Sequence, residues 1–431
     1  MSKRLLSVFA LAFFAVTVTA AEPSAADLDK RRKTFNDLLT EEWEHVLRTN
    51  PEFASYLGDK RYNDRSSDLS EAAVDRERTA SRGFIKRAEA ISTAGFSDQE
   101  KISHALFIRV LRESIEDADL KNWEMPVSQI EGIHLNAAQL PVFLTFTNVK
   151  DYDDYAQRLR NLPGQFNDTI ANMRKGLRDH LVPPKFLLEK VATQADGIAS
   201  QPPDQTPFAL PLSNFPASIA DAERTRIRSE YLDAIGQRVI PAYRKFAAFV
   251  HDEYAPKGRI DVGMWALPDG AKRYAIQVRR STTTNLSADE IHQIGLREVA
   301  RIEGEALAVA KSLGFSELKA FRDSLNTNPD LHAKSREQIL ELYRKYIDQM
   351  YAELPKLFGR LPRAHLIVVP VEARLGLDDF VSTRTYIVSG TGAAPNGTII
   401  ASIVSSLPSN ECTLKATRLR SSSDAAAIVE M

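Results

Sequence analysis

Three serine-led steps, each followed at once by an apolar run of helical period, constrain this chain most. Ser97-Asp-Gln-Glu100 precedes Ile102, Leu106, Ile108, Val110 and Leu111. Ser287-Ala-Asp-Glu290 precedes Ile291, Ile294, Val299, Ile302 and Val309, and Ser335-Arg-Glu-Gln338 precedes Ile339, Leu342, Tyr346 and Met350. In such a box the serine and the acid or amide satisfy each other's orphan amides, which fixes where a helix begins. Apolar residues three and four apart then give the helix one face to bury. A chain punctuated in this way is mainly α, a large helical architecture.

The intervening sequence agrees. Phe35, Leu38, Leu39, Trp43 and Val46 recur at helical spacing, and Asn50-Pro51 ends that stretch. Leu140 to Phe146 is a compact apolar run, and a helix opens near Asp151. Further helices are predicted over Gly164–Leu181, Pro184–Ala195 and Ser218–Tyr254, and Gly314 is a natural C-terminal cap. Pro241 should kink or divide the last of these, since proline lacks the amide donor and crowds the preceding turn. A small β element is expected near 272–280, where Tyr274-Ala-Ile-Gln-Val-Arg279 alternates after a Leu267-Pro-Asp-Gly270 turn, and near 364–369, an apolar run between prolines.

The expected organisation is a signal peptide over 1–20, an N-terminal helical part over 21–200 and a connection over 201–216. The connection carries Pro202, Pro203, Pro207, Pro211 and Pro216. A helical part with the β element follows over 217–373, then a serine- and arginine-dotted, poorly ordered tail over 374–431. The leader rests on Lys3 and Arg4, the apolar Leu5–Val18 and the small residues up to Ala20 and Ala21. This predicts export to the periplasm or beyond, with no lipoprotein cysteine at the cleavage point. The apolar stretch is shorter than the roughly 20 residues of a stable span.

Without its leader the chain keeps 54 of its 56 basic residues against 57 acidic ones, so nothing points to nucleic acid. Cys412 is the only cysteine, which excludes an intramolecular disulfide. There is no G-x-S-x-G elbow; Ser421, Ser422 and Ser423 sit in low-complexity sequence, and Gly390-Thr-Gly392 lacks a phosphate-loop lysine.

Metal chemistry has scattered candidates only. The histidines are His45, His104, His134, His180, His251, His292, His332 and His365. Glu41 and Glu42 precede His45, and Asp252 and Glu253 follow His251, so each could be half of a site, although a solvated or hydrogen-bonded histidine is the commoner role. His292 reads as structural. Trp265, Tyr274 and Arg279 flank the expected strand near 272–280, which could line a cleft and pair with an extended peptide; packing is the commoner role. No catalytic, cofactor-binding or metal residue is assigned.

Several blocks carry a resemblance. They are Trp265-Ala-Leu-Pro-Asp-Gly270 with Tyr274, Thr282-Thr-Thr-Asn-Leu-Ser-Ala-Asp-Glu-Ile-His292, Gly295-Leu296 and Glu298-Val-Ala-Arg-Ile302. Leu140-Pro-Val-Phe-Leu144, Asp151-Tyr152, Asn172-Met-Arg-Lys-Gly-Leu177, Leu181-Val-Pro-Pro184 and Val369-Pro-Val-Glu-Ala373 agree in order. Over roughly 28–373 the chain resembles the bacterial "domain of unknown function 885" family. That resemblance implies a zincin-like helical fold, an exported or lipid-anchored location and metallopeptidase activity. It also implies a later H-E-A-x-P-G-H-H helix, whose histidines would share one zinc while its glutamate activates water.

None of those metal residues can be carried over. Where that helix is expected the chain reads Arg418-Leu-Arg-Ser-Ser-Ser-Asp424, although Pro395-Asn-Gly-Thr398, Leu407-Pro-Ser409 and Thr413–Thr417 still echo the family. Suitable codons for Thr417–Asp424, read from the second base, give Leu-Ala-Tyr-Glu-Ala-Val-Pro, so a truncated or frame-shifted form is expected between Ala373 and Met431. The expected function is an exported homologue of a zinc-peptidase lineage, without cofactor in this chain and inactive. Zinc belongs to intact relatives. The alternative is a non-catalytic periplasmic helical protein that binds peptide or protein, with no membrane span once the leader is removed.

Overall fold

The computed structural model describes residues 24–359, 361, 366–369, 383–391, 398–406 and 412–417. The expected leader lies outside the described residues, as do His365 and Arg418–Asp424.

Helices α1 (Ala25–Thr49), α2 (Pro51–Tyr56), α3 (Glu71–Glu89) and α4 (Asp98–Asp119) come first. Then follow α5 (Ile133–Phe143), α6 (Val149–Arg178), α7 (Lys185–Ala199), α8 (Asp221–Ala234) and α9 (Ile240–Phe249). The rest are α10 (Gly270–Thr282), α11 (Ala288–Ser312), α12 (Leu318–Thr327) and α13 (Arg336–Leu357). The architecture is helical, as the periodicity requires.

The capping boxes at Ser97/Glu100 and Ser287/Glu290 are both formed, opening α4 and α11. At α13 only half of the box forms: Ser335 accepts from Gln338 N, whereas the Gln338 amide oxygen accepts from Lys334 N at 2.6 Å. Gly314 closes α11 with φ of +88°, and Phe315 N donates to Ala310 O at 3.0 Å. That left-handed position is one that glycine occupies without steric cost.

Two clusters hold the helices together. In the smaller, Phe35 and Leu38 of α1 meet Phe84 and Ala88 of α3 and Ile108 and Leu111 of α4. The larger runs from Tyr152, Phe166 and Met173 of α6 through Leu188 and Val191 of α7 to Tyr231, Tyr243 and Phe246. Phe208 and Leu212, inside the proline-rich 201–216 connection, belong to this same core, which continues on both sides of it. Phe166 shows how tightly it packs, its ring centroid 4.8 Å from Tyr243 and 5.3 Å from Phe246.

The long helix expected over Ser218–Tyr254 runs from Asp221 to Tyr254, interrupted by π-turns at Ile235–Val239 and Val250–Tyr254. Ile240 N reaches back to Ile235 O and Ala255 N to Val250 O. Each π-turn stands directly before an X-Pro pair, Ile240-Pro241 and Ala255-Pro256. Proline cannot donate to the carbonyl four residues back and its ring collides with it, and a widened turn relieves both problems. Pro241 therefore bends the hydrogen-bond pattern without ending the helix.

Two expectations need correction. Residues 272–280 are not a strand: they lie inside α10, where Gly270, Arg273 and Ile276 are buried at a spacing of three. The helix wins because Arg273 reaches Pro268 O, Asn122 Oδ1 and Leu120 O at 2.6–2.8 Å, and Arg279 and Arg280 pair with Glu116 and Asp117 of α4. Only the helical spacing turns all three arginines toward α4 and its end. The helices expected near Asp151 and over Gly164–Leu181 are in fact one, α6, with Pro163 inside it.

Within 364–369, Ile367–Val369 is extended (β1). It pairs antiparallel with β2 (Thr383–Thr391), which continues to β3 (Thr398–Ser406) and β4 (Cys412–Thr417) in the order β1-β2-β3-β4. Val368 packs with Leu340 of α13. By contrast α11 buries Ala310 alone, leaving Leu296, Val299, Ile302 and Val309 exposed.

At Gly176 neighbouring backbone comes close to α6. A Cβ there would stand 2.5 Å from Glu124 O and 2.7 Å from Leu181 O, both backbone atoms. Gly176→Ala would gain about 1 kcal/mol of helix propensity. Overpacking against fixed carbonyls costs about 1–3 kcal/mol or more and outweighs it. The denaturation midpoint of Gly176→Ala is therefore expected to fall; an unchanged or raised midpoint would contradict this packing.

Candidate functional site

One face of α6 carries a buried polar residue every seven positions: Asp151, Arg158, Gln165 and Asn172. Seven residues are close to two helical turns, so the four share a stripe. Each holds the segment that links α2 to α3. Asp151 accepts from Lys60 Nζ at 2.8 Å, and Asn172 Nδ2 donates to Leu69 O at 2.7 Å. Gln165 Nε2 donates to Ser67 O at 3.0 Å and to Glu52 Oε1 at 3.1 Å. Arg158 does most: Nε reaches Arg65 O at 2.7 Å, and Nη2 reaches Ser55 Oγ, Pro51 O and Tyr62 O at 2.8–3.1 Å.

This stripe leaves a cavity of about 510 Å³ between α2 with its following loop, α5 and α6. The volume suits a small organic ligand. Leu159 and Leu162 of α6, Phe53 and Tyr56 of α2, Leu140 of α5 and Phe208 make the apolar wall. Tyr56 is braced edge-on against Phe143 at 4.8 Å, and burial pushes its hydroxyl up to about 12. Asn136 is exposed where the cavity opens, and Glu52, Tyr155, Arg158 and Gln165 supply polar groups within.

Two of those groups are unusual. Arg158 is 4% exposed and Tyr155 2%, yet Arg158 Nη1 and Tyr155 Oη have no hydrogen-bond partner. Glu52 and Asp154 act on Arg158 only through space, and burial pulls its guanidinium below the usual arginine value. Arginine stays protonated in proteins, so the charge persists. Burial also pushes the Tyr155 hydroxyl well above the ordinary phenol range, which keeps it a donor. Glu52 accepts from Ser67 N at 3.1 Å, from Ser67 Oγ and from Gln165 Nε2. Buried donors without acceptors are costly, and native structures rarely keep them idle.

The residues singled out in the sequence lie elsewhere. His45 Nε2 meets Glu77 Oε2 at 2.8 Å, while Glu41 pairs with Arg87. His104 meets Ala88 O, His332 meets Asn326 O, and His134 Nε2 meets Gln194 Oε1 at 3.1 Å. His251 pairs with its neighbour Asp252 at 2.7 Å, and Glu253 with Arg174. His180 and His292 are exposed. Glu42 sits on α1, its carboxyl raised by burial and by Glu77. Trp265 and Tyr274 are exposed and Arg279 is paired to Glu116, so no strand lines a cleft there.

The zinc that the resemblance implies needs paired histidines and an acid. Among the described residues no three His, Cys, Asp or Glu side chains gather to hold a metal ion, so the residues present do not fit it. Nor is any described helix long and apolar enough to cross a membrane.

A family model described as "Bacterial protein of unknown function (DUF885)" matches residues 51–385, a span that includes every cavity residue except Asn50. No curated protein matches the sequence. Among solved structures the chain is similar to that of "the putative lipoprotein from Colwellia psychrerythraea", with a TM-score of 0.71 at 19% identity. The likeness covers 78% of this chain and 61% of that one, so the chain spans about three fifths of that relative's length. At this identity the likeness is one of fold.

Proposed function

This chain belongs to the bacterial DUF885 family of proteins of unknown function, and on that premise we propose that it is an exported binding protein for small peptide-like ligands. Its lineage is that of zinc-dependent peptidases, but as this 431-residue chain it does not hydrolyse peptides. The observation that carries the binding reading is the cavity beside α6, with an apolar wall and a few polar residues set into it. The wall can take up an aliphatic or aromatic side chain, and polar lining residues such as Glu52, Asn136 and Gln165 can orient a polar end.

The reading of no hydrolysis is supported by this sequence's lack of an H-E-x-x-H, the motif that sets two histidines one turn apart beside a general base. Export is supported by the basic, apolar and small-residue succession from Lys3 to Ala21. The peptidase lineage rests on the resemblance alone.

Purified full-length chain should release no product from unstructured peptides in the presence of zinc, and should retain far less than one zinc per chain after dialysis. A pool of apolar tripeptides at about a hundred times its dissociation constant should raise the thermal midpoint by about 1–3 °C. Chelator-sensitive turnover would overturn the reading, and so would a midpoint that no peptide moves.

A further inference from the structure

We infer that α11 is a self-association surface, its apolar stripe pairing with the same stripe of a second copy of this chain. A helix opened by a capping box and carrying apolar residues at helical spacing has one face to bury, and α11 keeps that face open. Ile294, Val299, Ile302 and Val309 fall within about 140° of the helix circumference, at about 100° per residue. Val299, Ile302, Val309 and the adjoining Leu313 are 53–61% exposed. Ala310 and Glu303 lie on the next flank, where Glu303 meets Arg322 of α12 at 3.8 Å. Helix α12 therefore packs beside the stripe without covering it. Gly295 lies on the stripe as well, and nothing stands within 4 Å of where its Cβ would be.

Area and charge select the occupant. Each half-open side chain leaves roughly 100 Å² uncovered, so Ile294, Val299, Ile302, Val309 and Leu313 offer on the order of 500 Å². Apolar patches of that size on a soluble chain mark a place where something binds. Homodimer interfaces are about 65% apolar, so this area is the apolar share of about 800 Å² per partner, the size of a standard stable interface. The flank of the stripe calls for no foreign charge, since Arg301 already lies between Glu298 and Glu305 at 2.7–2.8 Å. With a formal net charge of −1, two copies of the chain repel each other little. A lipid surface fits less well, because interfacial helices carry basic polar faces and α11 has five acids against three bases. In a two-fold contact the same patch serves both copies, and Ile302, near the middle of the stripe, meets its own counterpart.

Size exclusion with light scattering tests this on the full chain at about 50 μM, a concentration at which interfaces of this size associate. The expected mass is twice that of one chain. Val299→Glu combined with Ile302→Glu should weaken association at least about a hundredfold, because the contact would enclose charges without partners. Both positions are exposed in the single chain, so helical content by circular dichroism should not change. The thermal midpoint should rise with concentration in the parent and stay fixed in the double variant. Ile260→Glu, at an exposed apolar residue outside α11, should leave the doubled mass intact. Ile302→Cys on a Cys412→Ser background, where it is the only thiol, should give a covalent dimer on mild oxidation. A parent of single-chain mass overturns the inference, and flotation of that monomer with phosphatidylglycerol vesicles would assign the stripe to a lipid surface instead. A dimer that the double substitution leaves intact overturns it equally, since the interface would then lie elsewhere.

Discussion

Replacing Arg158 by methionine is expected to lower the unfolding free energy by about 3 kcal/mol, far more than a surface charge would. The side chain is buried, and its donors end on Pro51 O, Tyr62 O, Arg65 O and Ser55 Oγ, a stretch 93 to 107 residues earlier in the chain. Methionine fills much of the volume and removes an unpaired charge, which offsets part of the loss. It removes four charge-assisted hydrogen bonds, each worth about 1.5–3 kcal/mol, although Pro51 O keeps Ser55 Oγ and Tyr62 O keeps Arg65 N. The loss wins because one substitution removes all four of these bonds. The segment between α2 and α3 should then open locally, so limited proteolysis should cut within 57–70 before the rest of the chain. A midpoint within the error of the parent, with no new cleavage, would show that Arg158 does not hold this segment.

The second large effect concerns acid. His134 on α5 is fully buried, its ring stacked on Phe246 at 5.7 Å between centroids. Gln194 uses its amide nitrogen on Gln129 O at 3.0 Å, so its oxygen faces His134 Nε2 and the proton of the neutral ring is on Nε2. Nδ1 has no partner. Burial drives the imidazole down to about 4, with the Gln194 bond a smaller opposing effect. The unfolded chain, titrating near 6.5, therefore binds the proton more readily than the folded one. Stability from this residue is complete above pH 6.5 and is lost as the pH falls toward 4, by about 3 kcal/mol.

Glu124 titrates with the opposite sense. Burial first, then Asp179, raises its carboxyl, so its contribution is complete at low pH and lost as the pH rises through the raised value. The difference between parent and His134→Gln isolates the histidine. That difference should slope between pH 6.5 and 4 and be flat above; a flat difference throughout would mean that His134 titrates as if exposed.

The contrast between legible and illegible features has a physical basis. The starts of α4 and α11 were legible because a capping box is local: Ser97 with Glu100, and Ser287 with Glu290, need no distant partner. The 272–280 stretch misled because Tyr274, Ile276 and Val278 alternate, whereas the decisive residues are Arg273, Arg279 and Arg280, whose partners are in and just after α4. The cavity was illegible for the same reason. Asp151, Arg158, Gln165 and Asn172 look like a solvated face, since such residues are seldom buried, and their partners lie 91 to 113 residues upstream. Their signal was a strict spacing of seven among Tyr152, Tyr155, Leu159, Leu162, Phe166 and Met173, polar positions enclosed by apolar ones on both sides.

The two π-turns have a bearing on how this chain should be aligned. Each accommodates one residue more than an α-turn does, and one residue is worth 100° of rotation about the axis. Beyond Val239 the helix is therefore out of phase with its own first half, which is how Ile240, Tyr243, Phe246 and Ala247 come to share the core with Ile227 and Tyr231. Deleting Gly236 would restore a regular helix and swing that aromatic row away from Phe166. A heptad count carried from Asp221 through Tyr254 without interruption assigns the wrong face to everything past the first π-turn.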